Sequence, residues 1–242
     1  MPEKPELALI ARDSLRPKLL TIPRTPILGR ARTVAEDTGI ILYHSAPSRS
    51  SGVVLLLKEL DAPHEVRLID MKGGEQLAPK FLAINPMGKV PVIVHNGAVI
   101  TEQVAIYIYL ADLFPAAGLA PALNDPDRGP YLRWLAFYGS SFEPAVVDKS
   151  MNREPGRRAM MPYADFDTMI GTLAGQLAKG PYFLGERFSA VDVLWGSALN
   201  WMVKWKLVPS TEVFEAYVRR HNERPAVQWA REQDQTWQGK SD

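Results

Sequence analysis

The chain has 242 residues, of which 46% are hydrophobic, 9% aromatic and 23% charged, an ordinary globular composition. Lys and Arg total 28 against 27 for Asp and Glu, a net charge of +1. That balance gives no electrostatic footprint for nucleic acid and no polybasic membrane patch. Cysteine is absent, which excludes a disulfide framework, a thiolate metal site, a C-x-x-C redox pair and a cysteine nucleophile.

No apolar run approaches the roughly 18 residues a membrane helix needs. The N-terminus lacks the apolar core of a secretory signal, and its acidic residues argue against a transit peptide. A cytoplasmic protein is expected. Residues 1–38 carry five prolines, seven basic and five acidic residues and no sustained hydrophobic period. They read as a flexible N-terminal extension.

Regular patterning begins at Ile40. Ile40-Ile41-Leu42-Tyr43 reads as a buried strand, and the segment from Ser45 to Gly52 as a loop rich in potential helix caps. Val53, Leu56, Leu57 and Leu60 follow at helical spacing. Glu65-Val66-Arg67-Leu68-Ile69 alternates as a second strand, so a right-handed βαβ unit is expected. A weakly helical stretch follows. Val90-Pro91-Val92-Ile93-Val94 then reads as a strand, and His95-Asn96-Gly97 as a hairpin turn, because Asn-Gly accepts positive φ. Ala98-Val99-Ile100 returns, and Thr101 is placed to cap a helix running to about Phe114. That helix is apolar on nearly every side and must be covered.

The proline-rich stretch 115–127 reads as a linker. Beyond it, three helical stripes appear: Tyr131, Trp134, Leu135, Tyr138 and Phe142; Phe166, Met169, Ile170, Leu173 and Leu177; and Val191, Leu194, Trp195, Ala198, Leu199 and Met202. The plan is an α/β domain of order β-α-β-α-β-β-α over 39–114, the linker, and an all-helical domain over 128–242.

Pro91 lies inside an apparent central strand, although proline cannot donate to a ladder. An edge position, a bulge or a cis Val90–Pro91 bond would each accommodate it; a cis bond would leave the Val90 backbone turned outward. Leu42-Tyr43 with Pro47-Ser48-Arg49-Ser50, then Asn85-Pro86-Met87-Gly88-Lys89-Val90-Pro91, then Ile100-Thr101-Glu102-Gln103 together resemble the soluble glutathione transferase family. Tyr182-Phe183-Leu184-Gly185 followed by Phe188-Ser189-Ala190-Val191-Asp192 extends the resemblance, which spans about residues 40–235. It implies a thioredoxin-like N-terminal domain, glutathione as co-substrate, a homodimer, and transfer of the thiolate to a small apolar electrophile. Related glutathione chemistry (dehalogenation, ether cleavage, isomerisation) and a non-enzymatic interaction module also occur on this fold.

The resemblance implies that Pro91 is cis and that Val90 pairs with the cysteinyl backbone of glutathione. Lys89 would approach the glycyl carboxylate, and Glu102 with Gln103 would hold the γ-glutamyl end. The last position is usually Ser, so Gln103 is a departure. From the residues alone, Glu102 is equally a first-turn carboxylate favoured by the helix dipole.

Lowering a thiol pKa from about 8.5 by ~2 units takes ~2.7 kcal/mol of preferential thiolate stabilisation. A hydroxyl at a helix N-terminus supplies part of that. Ser48 best matches the catalytic serine of serine-type members, with Ser50 and Tyr43 as runners-up. N-capping is the alternative role for Ser48, Ser50 and Ser51. Trp134, Phe137 and Tyr138 are candidates for the electrophile pocket, or else core aromatics. Ser189 and Asp192 form a capping box with a structural role. His44, His64, His95 and His221 show no metal-ligand spacing and read as surface or structural residues. No metal is expected.

Overall fold

The computed structural model describes residues 39–154 and 156–238, so the expected N-terminal extension lies outside the described residues. β1 (Ile40–His44) alternates between a fully buried face, bearing Ile40, Leu42 and His44, and a half-buried face bearing Ile41 and Tyr43. β1 pairs in parallel with β2 (His64–Leu68), which it reaches through α1 (Ser51–Glu59). This is the expected crossover unit.

β3 (Val92–His95) runs antiparallel to β1, and β4 (Ala98–Ile100) folds back on β3, giving the sheet order β2-β1-β3-β4. Asn96 and Gly97 take φ of 51° and 78°, as a two-residue hairpin turn with both central residues left-handed requires. The β1–β3 register ends at Val92, two residues after the expected strand start. Pro91 therefore precedes the ladder and displaces no bond from it. The Val90–Pro91 bond is cis, as is Ala46–Pro47.

Between β2 and β3, a 3₁₀ turn at Glu75–Leu77 and the short α2 (Pro79–Leu82) replace the weakly helical stretch. Phe81 of α2 joins Ile69, Val90 and Val92 in a small cluster on one sheet face, with Tyr43 packed against it. On the opposite face, α1 buries Val53 to Leu57, and α3 (Gln103–Leu113) buries Ile106, Tyr107, Leu110 and Ala111 with Val104, Ile108 and Tyr109 half-buried. Helices apolar all round are stable only when enclosed, and here the sheet lies on one side and the helical domain on the other.

That domain comprises α4 (Arg128–Phe137), a wide π-helical turn at Tyr138–Phe142, α5 (Glu143–Ser150), α6 (Phe166–Leu177), α7 (Ala190–Lys204), α8 (Glu212–Asn222) and α9 (Pro225–Gln238). Trp195 of α7 is fully buried at the centre of Trp134, Phe137, Tyr138, Phe142 and Phe183. Its indole N–H donates to the Trp134 carbonyl at 3.0 Å. The start of α7 is closed by Asp192. Its carboxylate accepts from Ser189 N and Oγ at 3.0 and 3.1 Å, from Phe183 N at 2.9 Å and from Tyr217 OH at 3.0 Å. Arg224, which precedes α9, forks onto Glu59 at the end of α1 with contacts of 2.7 and 2.8 Å, tying the helical domain to the sheet domain. Among the described residues no helix is long and apolar enough to cross a membrane.

Candidate functional site

The loop between β1 and α1 carries the candidate hydroxyls. Ser50 stands at the start of α1, and its backbone carbonyl accepts from Val53 N at 3.0 Å and Val54 N at 3.1 Å. Its hydroxyl does not cap the helix. It lies 2.6 Å from Ser48 Oγ and 2.7 Å from His44 Nδ1. Ser45 N donates to it at 3.2 Å. The capping role open to these serines on sequence grounds is therefore not the one Ser50 Oγ takes; its hydrogen bonds run back to the end of β1. Ser50 is wholly buried, whereas Ser48 is partly exposed and lines a cavity. Ser48 Oγ also accepts from Ser50 N at 3.1 Å.

Tyr43 is placed elsewhere. Its side chain lies with Phe81 in the cluster around Val92, and its hydroxyl accepts from Arg67 at 3.3 Å. Alternation along β1 explains this: His44 and Tyr43 must point to opposite sheet faces. Only the His44 face meets the loop serines.

The cavity, about 390 Å³, opens beside Ser48 and extends between α1, α7 and α9. Its volume lies in the range of small-ligand sites. Leu55, Tyr138, Trp201 and Trp205 supply apolar surface, and Arg49, Asn200 and Asp234 supply polar groups. Of the three aromatics expected here, only Tyr138 lines it. Trp134 is 2% exposed, packed edge-on to Phe137 and against Phe183. Phe137 packs on the same core. The stripe that contains Trp134 faces α7, so helix-to-helix packing consumes it. Trp201 and Trp205, which the sequence reading missed, come from the late turns of α7; only the closeness of α7 to α1 marks them.

Arg49 is held at the rim by Glu143, which also accepts from Tyr138 OH at 2.9 Å. Burial, with the Glu143 charge adding to it, pushes the Tyr138 phenol well above its ordinary pKa, so it serves as a donor.

Of the residues expected to meet glutathione, Gln103 lines the cavity together with Ser48. Asn85, 4% exposed, donates to the Lys89 carbonyl at 2.8 Å and accepts from Met87 N at 3.1 Å. The Val90 backbone lies beyond the end of the β1–β3 ladder. Glu102, not Thr101, occupies the position before α3. It holds φ of 62°, a conformation non-glycine residues adopt only under local constraint. Gln103 opens α3 and donates from Nε2 to the Arg49 carbonyl at 3.2 Å, while its buried Oε1 has no partner.

Two of the four histidines are buried, not on the surface. His44 is wholly shielded, and His221 is 6% exposed with its ring against Gly196. His64 Nδ1 donates to the Ala62 carbonyl at 2.8 Å, and His95 Nδ1 lies 2.7 Å from Tyr109 OH. Among the described residues no three His, Asp or Glu side chains cluster so as to hold a metal ion.

Comparison with known proteins agrees with this architecture. Residues 38–112 match the model of the glutathione S-transferase N-terminal domain, and residues 163–219 match that of the C-terminal domain. Glutathione S-transferase hmp2 of Hypomyces subiculosus is 31% identical over 166 residues, covering 64% of this chain and 78% of the relative. A glutathione transferase from Methylococcus capsulatus superposes with a TM-score of 0.69 at 28% identity, covering 81% of this chain and 99% of that one. A sphingomonad glutathione S-transferase solved in complex with glutathione gives 0.65 at 29% identity over 80% of this chain and 98% of that one. With both domain models in order, on a four-stranded α/β domain followed by a helical one, the chain belongs to the glutathione S-transferase family.

Proposed function

We propose that the enzyme binds glutathione along Lys89, Val90, Pro91, Glu102 and Gln103 and uses Ser48 to hold its thiol as thiolate for attack on a small, largely apolar electrophile. The observation that carries this reading is that Ser48 is the one loop hydroxyl both exposed to the cavity and hydrogen-bonded to a buried partner, Ser50. A hydroxyl held in that position is within the cavity's reach of a sulfur anion, and a donor placed there stabilises developing negative charge. The N-terminus of α1 adds its dipole.

The peptide ligand lies over the N-terminal end of β3 and the start of α3, where backbone groups outside the ladder and the N–H groups of a helix start are available to it. The positive φ of Glu102 sets its carboxylate at that start, fitting an ammonium group. Gln103, with Nε2 given to Arg49, offers its unpartnered Oε1 and its backbone N–H. The electrophile takes the cavity against Tyr138, Trp201 and Trp205, one step from the sulfur. A cytoplasmic homodimer belongs to the same reading.

Equilibrium binding of glutathione, followed by turnover on a panel of aryl halides and activated alkenes, tests it. Micromolar-to-millimolar binding with thioether formation is the expected result. A folded protein that binds no glutathione would overturn it and leave an interaction module.

A further inference from the structure

Behind Ser48 the hydrogen-bonded chain does not stop. Ser48 Oγ meets Ser50 Oγ at 2.6 Å, and Ser50 Oγ meets His44 Nδ1 at 2.7 Å. On the far side of the ring, His44 Nε2 lies 3.1 Å from Asp234 Oδ1 on α9. That contact is within ion-pair range but bent away from hydrogen-bond geometry, and neither atom has any other partner or any access to solvent. The Trp237 ring closes over His44 edge-on at 4.9 Å. A buried imidazole with one nitrogen on a hydroxyl and the other on a carboxylate is costly to bury unless both contacts are used.

We propose that His44, backed by Asp234, is the positioning residue and proton sink for the thiol, acting through Ser50 and Ser48. This rests on the binding mode proposed above. A carboxylate oxygen facing Nε2 requires the hydrogen on that nitrogen, so Nδ1 of the neutral ring is an acceptor. The resting chain then points inward: Ser48 donates to Ser50 and Ser50 donates to His44. The Ser45 carbonyl, at 3.3 Å, is the weaker alternative acceptor for Ser50.

When the thiol docks on Ser48, its proton passes to Ser48 Oγ as Ser48 gives its own to Ser50 and Ser50 gives its own to Nδ1. Each O–H bond broken is replaced by one formed. The net change is one proton moved from sulfur to His44. The chain has reversed, so both hydroxyls now point toward the sulfur anion, and the imidazolium faces the Asp234 carboxylate. Chains of this kind are cooperative when every member is satisfied. The other charges on the cavity are already engaged: Arg49 is held by Glu143, and Arg231 donates to Asn222. His221, also on the cavity wall, is held neutral by burial and by Arg231 and Arg224. Asp234 is thus the charge that faces the ring, with Ser50 on its other nitrogen and Trp237 over its face.

The test follows the ultraviolet absorbance of the bound glutathione thiolate as a function of pH in the full chain. S-methylglutathione affinity, which involves no ionisable thiol, serves as the control for an intact site. His44→Gln keeps a hydrogen-bond partner for Ser50 but cannot take up a proton. It is expected to raise the apparent pKa of the bound thiol by about one unit, a tenfold loss of thiolate below that pKa, with S-methylglutathione affinity within about twofold of wild type. Because His44 is buried, Asp234→Asn provides a second variant at a partly exposed position and is expected to shift the pKa in the same direction by less. If the variants that bind S-methylglutathione titrate as wild type does, the relay is overturned and the Ser48 reading stands. If the wild-type protein binds neither ligand, both readings fall.

Discussion

Two helix starts in this protein are built from the same materials and end differently. At α7, Ser189 and Asp192 meet Phe183 and Tyr217, and both carboxylate oxygens are used by donors from three elements. At α1, Ser48, Ser50, His44 and Asp234 also form a largely buried polar group, but Ser48 faces a cavity and the His44–Asp234 contact is bent. The first cluster is closed on itself and contributes to folding. The second has an end, Ser48, that opens on the cavity, where the proposed ligand would join. Buried polar atoms with a complete set of partners stabilise a fold; a buried polar chain that opens on a cavity is a candidate for chemistry.

The comparison breaks first at Asp192. Asp192→Ala leaves Phe183 N and Ser189 N buried without their acceptor, each at about 1–3 kcal/mol, and leaves Tyr217 OH only the Asp192 backbone carbonyl at 3.4 Å. A loss of at least ~3 kcal/mol in urea unfolding is expected, with the thiol pKa of the surviving native protein unchanged. A loss below ~1 kcal/mol would mean the cluster is not structural. Ser48→Ala should do the reverse: kcat/KM falls at least tenfold, equivalent to ~1.4 kcal/mol of transition-state stabilisation, while unfolding free energy changes by less than ~1 kcal/mol. Ser50→Ala sits between the two, since its hydroxyl is both buried and part of the chain; a stability loss of about 1–2 kcal/mol should accompany a fall in rate.

The pH dependence of stability sharpens the contrast. Burial, with Arg231 and Arg224 adding to it, lowers His221 from 6.5 to about 3. The unfolded chain takes up this proton below about pH 6.5 and the native protein does not until about 3, so stability falls as pH drops through that window. Burial of Asp192 acts oppositely, raising its carboxyl to about 6 against the hydrogen bonds it accepts. The native state then retains a proton the unfolded chain has lost, and stability falls as pH rises from about 4 to about 6. His221→Gln should abolish the acid-side loss and leave the Asp192 slope exposed, as followed by thermal unfolding across pH 3–7. The smallest effect is expected from deleting residues 1–38. The proposed binding residues all lie between His44 and Asp234, so glutathione affinity measured by calorimetry should stay within about twofold.

Local pattern made much of the architecture legible. A short apolar run marked β1, alternation marked β2, the Asn96-Gly97 pair marked the hairpin and its return strand β4, and helical stripes marked α1, α6 and α7, because patterning records which face of an element is buried. The segment proposed to face glutathione was legible as an ordered set of short motifs around Pro91 and Glu102. Other features were not. Thr101 looked like a cap by type, yet the chain turns at Glu102 with positive φ, and propensity does not encode such a constraint. Trp134 and Trp201 are both aromatic residues on amphipathic helices; which one meets solvent depends on where α7 lies against α1 and α4.

The amino-acid order by itself determined the two-domain plan and the presence of hydroxyls at the start of α1, since each is written in local sequence patterns. Tertiary structure alone decided which hydroxyl faces the cavity, which tryptophans line it, and that His44 and Asp234 meet. Those two residues are 190 positions apart, and nothing local to either predicts the other. Their contact exists because α9 returns across the end of β1, and the packing that brings it there is a property of the whole fold.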